Sequence, residues 1–192
     1  MNDLFSFVLA MVSLVLAIGV THLVQNAATL VRERRRVQLE PVVFVWTAVL
    51  FLVAALYWWS LWDFRQVEWR FPLFFYMLLA PSLLHIGASL LASGRHGETA
   101  GDEATSSFET VRVPFMIVMA VFSLIVMGDG WLVGVEPAWT VYRPVQIWSI
   151  VLYGLGAVLP SPRAQHVVAW LALATYIVAG FFFRFLPGAF GA

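Results

Sequence analysis

Six long apolar stretches, separated by short links, most strongly constrain what this chain can fold into. Each is close to the roughly 20 residues that a helix needs to cross a bilayer core of about 30 Å. Proline stands at the boundaries of these stretches, where a helix can begin or stop, for example at Pro41, Pro72 and Pro144. The predicted spans cover residues 4–31, 42–62, 71–92, 113–135, 142–159 and 164–186. The pattern therefore predicts an all-α, polytopic integral membrane protein, with residues 1–192 forming a single transmembrane domain of six helices.

The composition fits a membrane protein and argues against several functions. Hydrophobic residues make up 61% of the chain and charged residues 11%, whereas soluble proteins carry roughly 25% charged residues. Eleven basic residues balance eleven acidic ones, so no extended basic surface indicates nucleic acid. Cysteine is absent. The chain also lacks a phosphate loop, a His-Glu-x-x-His motif, a Gly-x-Ser-x-Gly motif and a Rossmann fingerprint. The sequence thus offers no support for a hydrolase, kinase or dehydrogenase, and no motif requires a cofactor.

The arginine distribution predicts the orientation of the helices, because short cytoplasmic links carry an excess of basic residues. If the first helix ends inside, the inner links hold Arg32, Arg34, Arg35, Arg36, Arg95, Arg112 and Arg163. The outer links then hold Arg65, Arg70, Arg143 and Arg184. This bias favours both termini outside, in a plasma membrane of the bacterial inner-membrane type. The polar loop 93–112 would be cytoplasmic, where it would be flexible or bind a partner.

The first helix has two faces that are unsuited to lipid. At 100° per residue, one arc holds His22, Gln25, Asn26 and Thr29. Polar groups in hydrocarbon are costly unless they are paired or hydrated, so this arc is predicted to point inward. The other face carries small residues, namely Ser6, Ala10, Ser13, Ala17, Thr21 and Ala28. Small residues let helix backbones approach closely, so this face predicts packing in the bundle or in a homo-oligomer.

The third helix supplies a candidate partner for the polar arc. Ser82, His85 and Ser89 share one of its faces. His85 stands ten residues before Arg95, and His22 stands ten residues before Arg32. Because both helices are predicted to run inward, the two imidazoles are expected at one depth, facing a shared interior space. An interhelical hydrogen bond made by each histidine is the simplest interpretation, and a proton or solute pathway or metal or haem ligation are the alternatives.

Two further polar residues, Asp129 and Gln146, lie towards the predicted outer side. The segment "MGDGW" places Asp129 between two glycines late in the fourth span, and glycine weakens a helix. A broken helix at an ion or substrate site has this pattern. An ordinary turn at the outer end has it too, and is the simpler interpretation because the carboxylate would reach water. Gln146 lies on a polar stripe that leads into the fifth helix.

Three functions from different classes follow from these residues. The first is a channel or transporter for an ion, a proton or a small solute, in which the polar faces of helices one, three and five line a hydrated path. Histidine titrates near neutral pH, so His22 and His85 would act as gates or relays. The second is a membrane redox subunit that binds b-type haem through His22 and His85. The third is a non-catalytic scaffold or sensor.

Overall fold

The computed structural model describes residues 3–33, 41–93, 107–133 and 142–183, and no strand occurs within these ranges. The helices are α1 (Asp3–Glu33), α2 (Pro41–Ser60), α3 (Phe71–Ser93), α4 (Ser107–Val133), α5 (Tyr142–Val158) and α6 (Pro162–Phe183). A short 3-10 helix, Leu61–Phe64, continues α2. For the described residues, the prediction of six α-helices without strands is therefore confirmed.

Five of the six helices in the described ranges are long and apolar enough to cross a membrane, and the exception is α5. This helix has 17 residues, which corresponds to a length of about 25 Å at 1.5 Å per residue. Large apolar side chains cover the outside of the helices, and Phe71 and Trp131 are each 75% exposed. Soluble monomers rarely expose extended apolar surface. This distribution fits a chain surrounded by lipid.

The start of α4 differs from the sequence prediction. Residues 107–112 were expected in the polar loop, but α4 begins at Ser107. Glu109 lies in its first turn, where a negative charge favours the positive end of the helix dipole. The Arg112 Nε atom donates to Glu109 Oε1 at 3.1 Å, which links two residues of the new turn. The rest of the predicted loop, residues 94–106, lies outside the described residues, as do Arg34 to Arg36 in the arginine run.

The helices pack in the order α1, α3, α4, α5, α6 and α2, and α2 closes the ring against α1 while also touching α3. Helices adjacent in sequence run in opposite directions, so α1 and α3 are parallel. One end of the bundle holds the end of α4 and is called here the Asp129 end. The opposite end holds the start of α4 and is called the Arg112 end. They correspond to the predicted outer and inner sides of the membrane.

Helix α2 supplies much of the core. Trp46, Val49 and Leu50 are fully buried. The Trp46 ring packs edge-on against Phe115 of α4, with centroids 5.2 Å apart, and lies 6.0 Å from the Tyr153 ring of α5. One helix thus contacts several others through large side chains, and the described centre of the bundle is filled.

A proline within α3 explains an interhelical hydrogen bond. Pro81 has no N–H, so it leaves the carbonyl of Met77, four residues earlier, without its usual helical donor. The Tyr57 hydroxyl of α2 donates to that carbonyl at 2.9 Å. The break in the hydrogen-bond ladder of α3 is therefore satisfied by its neighbour, which fixes α2 against α3 at this level.

Candidate functional site

His22 of α1 and His85 of α3 contact each other through their rings. The imidazole centroids are 5.0 Å apart and the ring planes are nearly perpendicular, at 88°. Both side chains are half-buried. The two histidines that the sequence places at one depth are thus neighbours on parallel helices, in the half of the bundle towards the Arg112 end.

Small residues around the pair allow the two helices to approach. A Cβ atom added to Gly19 would lie 3.4 Å from His85 Cα and 3.6 Å from His85 Cβ. Gly19 therefore brings the backbone of α1 directly against the residue that carries the second imidazole. One turn further along, the Asn26 Nδ2 atom donates to the carbonyl oxygen of buried Ala88 at 3.3 Å. These two contacts bracket the pair and hold the helices in register.

The short distance between the two rings opposes positive charge on both of them at the same time. Two unit charges 5.0 Å apart repel each other by about 3 kcal/mol at an effective dielectric constant of about 20. The His85 Nδ1 atom is buried and has no hydrogen-bond partner among the described residues. A polar atom in this state usually indicates a water, an ion or a ligand that completes it.

The other residues that the sequence predicts for this site do not all face the histidine pair. Gln25 is exposed, and Thr29 Oγ1 donates to the Gln25 carbonyl of its own helix at 2.9 Å. Ser82 Oγ likewise donates within its helix, to the Leu78 carbonyl at 2.7 Å. Ser89 is half-buried. Of the predicted polar arc of α1, His22 and Asn26 thus face α3, whereas Gln25 faces away from the chain.

Asp129 does not lie in a turn that exposes it to water, so the simpler sequence interpretation was wrong. Helix α4 continues through Gly128, Asp129 and Gly130 to Val133, and Asp129 is 5% exposed. The helix is also not broken at the glycines. Packing against α3 and α5 holds this segment helical, which outweighs the low helix propensity of glycine.

Side chains from two helices surround the segment that precedes Asp129. The Tyr76 hydroxyl of α3 donates to the Ile125 carbonyl at 2.6 Å. Gln146 Nε2 of α5 lies 3.4 Å from the Val126 carbonyl, and Arg143 of α5, which is 6% exposed, donates to the Met127 carbonyl. Three consecutive carbonyls of α4 therefore receive donors from its neighbours.

Gly128 permits the approach of α3 to this segment. A Cβ atom at this position would overlap the Tyr76 hydroxyl. The Asp129 carboxylate in turn lies within electrostatic range of the Tyr57 and Tyr76 hydroxyls. The Asp129 end thus contains a buried polar centre built from four helices. Asp129 and Gln146 are the members of this centre that the sequence pattern predicts.

The polar centre and the histidine pair are two separate places. Along α3, Tyr76 of the polar centre precedes His85 by nine residues, which corresponds to about 13 Å. Fully buried apolar residues of α3, Met77 and Ala80 among them, lie in this interval. The structure therefore divides the eight predicted site residues between the two ends of the bundle.

In the part of the chain that the structure describes, the polar faces of α1, α3 and α5 do not meet in one path. Helix α1 packs against α3 and α2, whereas α5 packs against α4 and α6. Side chains such as Met116 and Met119 fill the centre between them. A groove of about 310 Å³ lies between α2 and α6, and it is lined by apolar residues that include Leu56 and Ile177. The expectation of a path lined by the first, third and fifth helices does not fit this packing.

Two further polar contacts were not predicted from the sequence. Arg112, which is 7% exposed, donates through Nη1 to the carbonyls of Gly156 at 2.9 Å and Ala157 at 2.6 Å. Gln165 Nε2 also donates to Gly156, at 2.9 Å. These side chains satisfy the last carbonyls of α5 and place a positive charge at the negative end of its dipole. The second missed contact joins the hydroxyls of Tyr153 and Tyr176 at 2.9 Å.

The histidine pair does not fit b-type haem. Two axial imidazoles on opposite sides of an iron, with bonds of about 2 Å, would have centroids roughly 6 Å apart with the macrocycle between them. Here the rings touch at 5.0 Å in a perpendicular arrangement, and Gly19 packs against the backbone of His85. The two helices leave no gap for a flat macrocycle.

The histidine pair thus brings two titratable side chains together between two apolar helices. It can hold a proton or offer imidazole nitrogens to a ligand. The described ranges contain no group of three or more His, Cys, Asp or Glu residues that could hold a metal ion. No protein-family model, curated protein or solved structure matches this chain.

Proposed function

We propose that this chain is a multi-pass membrane protein with six spans and both termini outside, in a plasma membrane of the bacterial inner-membrane type. It moves protons or another small ion or solute, and the His22–His85 pair controls the movement. The ring contact between the two histidines carries this proposal. Histidine changes charge near neutral pH, and ionisable side chains within membrane spans commonly mark ion pathways and proton relays.

Protonation supplies the mechanism of control. With one proton on the pair, an imidazolium edge can face the neutral ring and is attracted to it. A second proton adds a repulsion of about 3 kcal/mol at 5.0 Å. Helix α1 packs against α3 and α2, so the repulsion acts on one of the two interfaces that hold it. Acidification therefore favours separation of α1 from α3.

The path follows the boundary between α1 and α3, because the described centre of the bundle is packed with large side chains. Thr21 and Gln25 are exposed on α1, and the predicted small face of α1 is largely exposed as well, at Ser6, Ala10, Ala17 and Ala28. A second copy of the chain packed on this face would cover the exposed carboxamide. The working unit is thus a homo-oligomer in which α1 lies between subunits.

Helices α2 and α4, as far as the structure describes them, bring few charges to the half of the bundle that holds the pair. Helix α2, which packs against both α1 and α3, has no Asp, Glu, Lys, Arg or His between Pro41 and Ser60. Helix α4, which packs against α3, carries Glu109 and Arg112 in this half, and these two side chains interact with each other. The described residues of α2 and α4 in this half of the bundle therefore add no unpaired charge beside the pair.

The test is proton flux into liposomes that contain the purified full-length protein, measured between about pH 5 and pH 8, the range in which histidine titrates. His22→Gln and His85→Gln each remove titration while keeping a polar side chain of similar length. The matched control is His166→Gln, because His166 Nδ1 contacts the Pro162 carbonyl of its own helix at 2.8 Å. The proposal expects pH-dependent flux in the wild type and in the control, and its loss in both test variants. The same pH-dependent flux in all four proteins would overturn it.

A non-conducting scaffold or sensor is the second candidate, and the packed centre of the bundle favours it. In this case protonation changes the packing of α1 on α3 without moving an ion. The predicted cytoplasmic partner would bind the loop 93–112, of which residues 94–106 lie outside the described residues. A change in tryptophan fluorescence that depends on pH and on His22, in liposomes without flux, would select this candidate.

A further inference from the structure

We propose that His22 and His85 together form a binding site for a divalent first-row transition metal, represented by Cu²⁺. The inference uses the same side chains as the proposed function, but metal binding does not require flux. Two imidazoles that share a metal through bonds of about 2.0–2.1 Å have centroids roughly 4.5 to 5 Å apart, for angles at the metal from square-planar to tetrahedral. The observed centroid separation is 5.0 Å. The ring separation therefore allows both imidazoles to bind one metal ion.

The state of His85 supports the same inference. Its Nδ1 atom is buried and has no hydrogen-bond partner among the described residues. A metal-ligating histidine normally gives its other nitrogen a hydrogen bond and its lone pair to the metal. A buried nitrogen without such a bond is one that a metal ion or its bound water could satisfy. His22 is half-buried on the neighbouring helix, so one ring of the pair is partly accessible.

The contacts between α1 and α3 on either side of the pair do not depend on a metal. Gly19 holds the two backbones together on one side of the pair. The Asn26 bond to the Ala88 carbonyl, at 3.3 Å, holds them on the other side. A metal would therefore bind two imidazoles whose carrying helices are already in register, so the ordering cost of bringing the ligands together is small.

The ligand types select the class of metal. Imidazole suits copper, zinc and nickel, whereas calcium and magnesium prefer carboxylate and carbonyl oxygen. Within the described ranges, no third acidic residue or histidine joins the pair as a group. Two protein ligands leave further coordination positions for water, so the site is open and exchangeable, unlike a closed structural zinc site. Among divalent first-row ions, copper binds such nitrogen sites most tightly.

The experiment uses the full-length protein in detergent, with His96 and His166 replaced by glutamine. The chain contains four histidines, so this background keeps only the proposed pair. Cu²⁺ is titrated into the protein, and binding is followed by electron paramagnetic resonance with detection of coupled imidazole nitrogens. The inference expects one Cu²⁺ per chain coupled to two imidazoles. It expects at least tenfold weaker binding when either His22→Gln or His85→Gln is added, with the loss of the two-imidazole signal.

Two results would overturn the inference. One is the absence of imidazole-coupled Cu²⁺ in the background protein at millimolar metal. The other is unchanged imidazole coupling after either substitution. Circular dichroism and thermal unfolding show whether each variant is folded. The His22 variant changes a residue of the peripheral helix α1. One folded variant of the two is enough for the comparison. Because copper binding is measured without flux, its failure beside intact pH-dependent flux rejects the metal site alone. Copper binding without flux rejects the proposed transport function alone.

Discussion

The Tyr57 hydroxyl donates to the Met77 carbonyl at 2.9 Å, and that carbonyl is the one from which Pro81 withholds a helical donor. We expect Tyr57→Phe to lower the free energy of unfolding by about 1 kcal/mol, within the range for hydrogen bonds between membrane helices. The loss should be smaller in a Pro81→Ala background, because residue 81 then donates to Met77 within α3. A thermal-unfolding double-mutant cycle measures this coupling, and additive effects of the two substitutions would contradict it.

Gly128 is required by the Tyr76 hydroxyl, which a Cβ atom at position 128 would overlap. Gly128→Ala should therefore lower the free energy of unfolding by about 1 to 3 kcal/mol, the usual cost of overpacking. The matched control is Gly154→Ala, because a Cβ atom added at Gly154 meets nothing within 4 Å. Adding Tyr76→Phe should recover part of the stability lost at Gly128. Equal thermal stability of the two alanine variants would show that the close approach is not needed.

Arg112 closes the end of α5 by donating to the Gly156 and Ala157 carbonyls. Arg112→Met keeps much of the side-chain length but leaves buried carbonyls with fewer donors. The expected cost is about 1 to 3 kcal/mol in the free energy of unfolding. Arg163→Met is the control, because Arg163 is exposed at the same end of the bundle. Denaturant unfolding in detergent measures both variants, and similar midpoints would indicate that Gln165 is sufficient to close the helix.

The small face of α1 gives a test of assembly that is separate from folding. Ala10 and Ala17 are exposed on the chain, so leucine at these positions should not disturb the packing of a single subunit. If a second copy packs on this face, Ala10→Leu combined with Ala17→Leu should dissociate the oligomer while thermal stability of the subunit persists. Ala174→Leu on the exposed side of α6 is the control. Light scattering on the detergent-solubilised protein reports the mass, and an unchanged oligomer in the double variant would place the interface elsewhere.

The sequence could predict the helices and the level of the two histidines. Apolar length and boundary prolines mark the helices, and the equal spacing of His22 and His85 from Arg32 and Arg95 sets their depth once the helices are known to run in parallel. These signals lie within one stretch of sequence, or depend only on the direction in which a helix crosses the membrane.

The remaining features depend on which helices are neighbours, which the sequence pattern does not reveal. Asp129 is buried because α3 and α5 cover the end of α4, although its flanking glycines suggested a turn. Arg112 was counted as a residue of an inner link, and its bonds to Gly156 and Ala157 appear only when α4 lies beside α5. Gln25 shares a helical arc with His22, but α3 covers only part of that arc, so the carboxamide is exposed.

The central claim is that the His22 and His85 rings contact each other between α1 and α3. The chain has four histidines, so solid-state NMR of protein labelled with ¹³C and ¹⁵N at histidine alone, in lipid bilayers, can resolve each ring. His22→Gln and His85→Gln assign the signals. The account predicts a through-space cross-peak between the His22 and His85 rings. The absence of this cross-peak in folded wild-type protein would contradict it.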